Sequence, residues 1–200
     1  MRHHRPKKAP QRRRFRYNTI GQAAFNGDGN CISRLVVEKG QDPNERDEYG
    51  DPPVVCAARE GHVDALRALW EAGADMSLVV DCSHCDFKHV PIDLYEVARL
   101  DHGFTAAHVA ARYGRLDALK FLHHECACDM SYAVPTRYGY MGKLRGTTPL
   151  DVSQQRRTTD LHAEGGEMTD EQCDAVDRKF RDLNHKGRKH CAEFLHSIGA

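Results

Sequence analysis

Cys82-Ser83-His84-Cys85 is the segment of this sequence with the clearest chemical potential. A Cys-x-x-Cys turn lets two thiolates reach one metal ion, and zinc takes four ligands in a tetrahedron. A second pair has to come from elsewhere in the chain. Cys126 and Cys128 are the candidates, with His89 and His102 as other third or fourth ligands. The competing reading is four reduced cysteines, because one Cys-x-x-Cys plus one Cys-x-Cys is not a complete doubled motif. A zinc ion held there rigidifies a loop and catalyses nothing. His123 and His124 do not add a second metal site. Adjacent residues on a helix point about 100° apart.

The second chemically distinct segment is the amino-terminal arm. Residues 1–16 hold eight Lys/Arg and no Asp or Glu, leaving 21 basic against 29 acidic residues in the remainder. A cationic arm therefore precedes an acidic body, and the net charge of zero conceals both. Residues 1–17 bury nothing and are expected to be disordered in isolation. Lys7, Lys8, Arg12, Arg13, Arg14 and Arg16 suit RNA or another polyanion, with Phe15 and Tyr17 placed to stack on bases. The same clusters read as a nuclear-import signal, as a mitochondrial presequence or as a solubilising tail. Pro6 and Pro10 oppose the amphipathic helix that a presequence needs.

No apolar run in the sequence is long enough to span a membrane, and no apolar core follows the basic start. The expectation is an intracellular protein, cytoplasmic or nuclear, with reduced cysteines. Gly-x-x-x-x-Gly-Lys-Ser/Thr, Gly-x-Ser-x-Gly and His-Glu-x-x-His are all absent. Gly27-Asp28-Gly29 lacks the strand-to-helix setting of a dinucleotide loop. The chain is expected to be no enzyme and to take no small-molecule substrate.

What positions these residues is a repeat. The copies at residues 47–75 and 103–122 align: Ala57-Ala58 with Ala110-Ala111, Gly61 with Gly114, and Asp64-Ala65-Leu66 with Asp117-Ala118-Leu119; with one extra residue in the later copy, Asp75-Met76-Ser77 then matches Asp129-Met130-Ser131. A degenerate earlier copy has Ala23-Ala24, Gly27 and an apolar stripe at Ile32, Leu35 and Val36. A split later copy begins at Gly146-Thr147-Thr148-Pro149-Leu150 and resumes at Gly187. The alanine pairs allow two helices to approach closely. Gly61 and Gly114 suit a positive φ where a first helix stops. Leu66 and Leu69, like Leu119 and Leu122, make one apolar face at helical spacing. One helix pair cannot bury that face, so neighbours must stack.

These elements resemble the ankyrin repeat, with its Thr-Pro-Leu-His-x-Ala-Ala, Gly-His and Gly-Ala-Asp signatures. The resemblance implies an all-α solenoid of about four helix pairs over residues 18–200. The approximate repeats are 18–46, 47–80, 101–133 and 146–200, with insertions at 81–100, 132–145 and 156–186. Gly61 and Gly114 stand 53 residues apart, which places most of one insertion within 81–100. Thr169-Asp170-Glu171-Gln172 reads as a capping box opening an extra helix, and Pro91 as the start of a short one. Pro52-Pro53-Val54-Val55 departs from the family pattern and lacks its histidine, whereas His108 retains it. Stacking would set the exit of the third repeat, with Cys126 and Cys128, beside the connection carrying Cys82 and Cys85.

The resemblance also implies a non-enzymatic scaffold or adaptor that binds a protein on its concave face and loops. The residues so placed are Tyr49, Asp51, Arg59, Phe104 and Arg112, with Tyr138, Tyr140, Lys143 and Arg145 in an aromatic and cationic loop. An RNA- or ribosome-associated component using the arm is the alternative.

Overall fold

The computed structural model describes residues 16–83, 101–135, 146–154 and 186–200. Among these residues, seven helices occur in order: α1 (Ile20–Phe25), α2 (Gly29–Lys39), α3 (Pro53–Glu60), α4 (Val63–Glu71), α5 (Ala106–Arg112), α6 (Leu116–His124) and α7 (Pro149–Gln154). A last helical stretch covers 186–197. No strand is formed among the described residues; Val79 and Thr105 make one isolated antiparallel bridge. The chain is all-α, as the repeat pattern implies.

Local signals start and stop the helices. Thr19 accepts from the Gln22 N–H and Asp28 from the Cys31 N–H, so α1 and α2 begin on side-chain caps. Pro53 opens α3, where its missing N–H costs nothing. Gly61 ends α3 in the left-handed region at φ +81°, and Arg115 packs against it. Between α3 and α4 the turn is therefore tight enough to lay the two helices antiparallel.

Packing follows from the alanine pairs. First helices stack on first helices, α1 on α3, α3 on α5 and α5 on α7. Second helices form a parallel layer, α2 on α4 and α4 on α6. Ala23, Ala24, Ala57, Ala58, Ala110 and Ala111 are all buried between the layers, where a larger side chain would force them apart. Ile32, Leu35, Leu66, Leu69, Leu119 and Leu122 fill the space beside them. Cys31, Cys56 and Cys191 are buried in this core as small apolar residues.

Backbone pairing clamps the connections between repeats. The Val80 N–H donates to the Phe104 carbonyl at 2.8 Å, and the Gly103 N–H to the Val80 carbonyl at 2.9 Å. Val134, Gly146 and Thr147 repeat this pattern one unit later, at 3.0 Å in each bond. The chain is thus paired to itself on either side of residues 84–100 and of residues 136–145. The Asp75 and Asp129 carboxylates accept from Ser77 and Ser131 in the same way, as expected of equivalent positions.

Several sequence expectations lie outside the described residues. They are the basic residues Lys7, Lys8, Arg12, Arg13 and Arg14, Cys85 and His89, the loop residues Tyr138, Tyr140, Lys143 and Arg145, and the helices expected after Pro91 and Thr169.

Candidate protein-binding face

A cavity of about 650 Å³ opens between α1, the turn at 45–51 and the start of α3. Its walls include Thr19, Ile20, Phe25, Tyr49, Cys56 and Arg59. Phe25 is 50 % exposed there, on a helix that buries Ile20, Ala23 and Ala24. Four carboxylates, Glu45, Asp47, Glu48 and Asp51, line the same cavity.

The turn places Asp47 and Arg46. Asp47 Oδ1 accepts from the N–H groups of Tyr49 and Asp51, both at 2.9 Å, and its other oxygen faces the Cys56 thiol at 3.8 Å. Arg46 Nη1 donates to the carbonyls of Gly50 at 2.8 Å and Val79 at 2.6 Å, tying one connection to the next. Burial raises the carboxyl pKa of Asp47 and Asp51 above the usual carboxylate range, although Arg59 pulls both down. Burial also pushes the Cys56 thiol well up, so it stays protonated.

Behind the cavity runs a buried ion-pair ladder. Arg59 binds Asp51 through Nη1, and its Nη2 lies 3.2 Å from Asp101. Arg112 donates to the other oxygen of Asp101 at 2.7 Å. Asp101 has no exposed surface. Arg59 on α3 and Arg112 on α5 are thus joined by a single carboxylate, which locks adjacent repeats in register. Asp51 Oδ1 and Arg59 Nε are buried with no hydrogen-bond partner among the described residues.

This geometry corrects part of the sequence reading. Phe104 is fully buried, stacked on His108 with ring centroids 5.0 Å apart, so it faces the core and no partner. It is held there because its backbone is clamped to Val80. Arg59 and Arg112 do occupy one face, as their equivalent positions suggest, but buried aspartates neutralise both guanidinium groups. Asp51 lines the cavity although it is only 3 % exposed. Tyr49 is half-buried at the cavity wall, and Arg16 is exposed beside Tyr17.

Of the four candidate zinc cysteines, Cys82, Cys126 and Cys128 fall within the described residues. Among the described residues, Cys82, Cys126 and Cys128 do not share one ligand cluster; the one such group is Asp47, Asp51 and Cys56. Cys82 meets His102, one of the other candidate ligands: its Sγ and its N–H each lie 3.2 Å from Nδ1. The pairing of Val80 with Gly103 and Phe104 brings His102 back beside Cys82. The Cys128 thiol lies 3.8 Å from the Met76 carbonyl. His123 and His124 both lie edge-on to Phe194, at 5.7 and 5.8 Å.

Sequence reasoning missed Phe25, Glu45 and Glu48. The exposed Phe25 could have been found, because it falls off the apolar stripe that holds Ile20, Ala23 and Ala24.

Stacked helix pairs and clamped connections define a helical repeat protein. The chain belongs to the ankyrin-repeat family: the family described as Ankyrin repeats (3 copies) matches residues 20–134. Ankyrin repeats generally mediate protein–protein interaction. Mouse inversin is 27 % identical over 141 residues, covering 70 % of this chain and 10 % of inversin. Human protein phosphatase 1 regulatory subunit 27 is 30 % identical over 86 residues, covering 43 % of this chain and 55 % of that protein. The chain therefore spans well under two thirds of either relative. Among solved structures, the human ASB11 ankyrin repeat domain superposes with a TM-score of 0.52 at 19 % identity, covering 93 % of this chain and 56 % of that one. That likeness concerns the fold alone. No helix among the described residues is long and apolar enough to cross a membrane.

Proposed function

We propose that this protein is a non-enzymatic adaptor, a subunit of a larger assembly, whose protein partner docks on the layer of first helices and the turns beside it. The observation that carries this reading is the cavity beside α1. An exposed aromatic and a half-buried tyrosine stand next to an acidic rim on a rigid stack. Aromatic anchors in a pocket with a polar surround are the usual energetic centre of a protein interface. The regulatory-subunit name of one relative supports the same role.

The test is affinity purification of the full-length protein from cells, compared with the variant Phe25→Asp/Tyr49→Ala and with a chain lacking residues 1–15. A partner retained without the arm and lost from the double variant is the expected result. A partner retained by all three chains places the contact elsewhere and overturns the reading.

The second reading is an RNA- or ribosome-associated component. The eight Lys/Arg without a single acid in residues 1–16 favour it. It requires RNA and its proteins to disappear with the arm and the recovery to fall steeply with salt.

A further inference from the structure

We propose that the acidic cavity beside α1 is a docking site for cationic peptide, and that its occupant is this chain's own arm, residues 2–14. The inference stands without any partner protein, because both halves of the contact are in one chain.

Charge is the first argument. Glu45, Asp47, Glu48 and Asp51 line the cavity, and the two cations among its walls are already engaged. Arg46 is spent on two backbone carbonyls, and Arg59 on Asp51 and Asp101. Four carboxylates against two guanidinium groups leave the cavity walls with an excess of negative charge, carried by Glu45, Asp47 and Glu48, because Asp51 is paired with Arg59. The arm is the complementary element: basic residues throughout and no acid before Asn18.

Unpaired atoms are the second argument. Asp51 is almost wholly buried, yet among the described residues its Oδ1 accepts nothing, and Arg59 Nε donates to nothing. A buried polar atom without a partner is rare in a native protein and points to a missing group. An arginine or lysine N–H satisfies the carboxylate, and a peptide carbonyl satisfies Arg59. A basic peptide carries both.

Shape and reach complete the case. Ile20, Phe25 and Tyr49 provide an apolar wall for the aliphatic stems of Lys and Arg, whose charged ends then reach the acidic rim. Arg14 precedes Thr19, on that wall, by five residues, a span of at most about 17 Å. A tether this short sets an effective concentration on the order of millimolar. Weak contacts then suffice to fill the site. An arm so placed competes with a partner for the first-helix face.

The experiment is limited trypsin digestion of the full-length chain, with cleavage at Lys7 to Arg14 followed by mass spectrometry. Wild type is compared with Glu45→Lys/Glu48→Lys, a charge reversal on the cavity rim, at one salt concentration after nuclease treatment. Docking predicts that the arm of wild type is cut at least roughly fivefold more slowly, since cleavage tracks the undocked population. A second readout puts p-benzoylphenylalanine in place of Phe15. Irradiation is expected to cross-link it within the same monomer to peptides spanning 20–59, and the charge-reversed variant to lose the cross-link. Equal cleavage rates, or cross-links unaffected by charge reversal, overturn the proposal. Protection that grows with protein concentration also overturns it, because it gives the cavity to a second copy. Partner capture is not read in either assay, so this inference and the adaptor reading fail separately.

Discussion

Arg59 and Arg112, fifty-three residues apart in the chain, are held by the two oxygens of one buried carboxylate, that of Asp101. The sharing joins α3 to α5 where the alanine contacts alone would allow sliding. Asp101→Asn keeps the shape and removes the charge, leaving Arg112 without its ion pair to Asp101 and Arg59 with Asp51 alone. Breaking a buried pair from one side costs about 3–5 kcal/mol. Urea denaturation of the variant is expected to show a loss of that order. A loss under about 1 kcal/mol would mean that the ladder is solvated and does not set the register.

His108 makes stability depend on pH. Its Nε2–H donates to the Thr147 carbonyl at 3.0 Å, while its Nδ1 lies 2.9 Å from the Thr105 hydroxyl. Burial lowers its pKa to about 4, from an ordinary value near 6.5. The folded chain therefore keeps His108 neutral while the unfolded chain takes up a proton. The contribution is complete above about pH 6.5 and falls away as pH drops towards about 4, by about 3 kcal/mol at most. His108→Gln is expected to lower stability at pH 7.5 and to flatten the slope between pH 6.5 and 5. An unchanged slope in thermal melts of the variant would assign that pH dependence to other groups.

Two glycines with the same backbone angle should respond very differently to alanine. Gly50 and Gly73 both have φ of +80°. A Cβ on Gly50 would meet the Asp81 carbonyl oxygen at 2.0 Å, whereas one on Gly73 meets nothing within 4 Å. Gly73→Ala carries only the left-handed cost, about 1–2 kcal/mol. Gly50→Ala adds a backbone clash that pushes the turn off the next connection, for a total of about 3 kcal/mol or more. Chemical denaturation of the pair checks the difference. Equal losses would show that the Gly50–Asp81 contact relaxes freely.

Cys126 and Cys128 should be sluggish thiols. Burial is the main cause that raises their pKa values, to about 11 and about 12. The thiolate is the reactive form, so alkylation at pH 8 is expected to be slow and to accelerate up to pH 10. Peptide mapping after iodoacetamide treatment measures each site. Rapid labelling of both at pH 8 would contradict the partly buried setting of the two thiols.

Much of the fold is legible in the residues themselves. The alanine pairs, the leucine spacing and Gly61 are enough to mark helix pairs, and the folded chain sets those pairs as two stacked layers. The candidate site was legible only in part. Tyr49, Asp51 and Arg59 line the cavity, but Phe104 belongs to the core and Arg112 to the ladder. A position in the repeat says which element a residue sits on. It does not say whether an acid from another repeat has neutralised it.

Periodicity is a local property, repeated every turn of helix and every repeat, so the sequence by itself determined the helices, their pairing and the family. The cationic arm and acidic body were equally plain, because charge needs no coordinates. Contacts across long separations belong to the tertiary structure. Only there does Asp101 reach Arg59, Cys82 meet His102, and Phe25 with Glu45 and Glu48 surround one cavity. The reason is that such contacts depend on how loops of unlike length close against the stack, and no periodic signal records that closure.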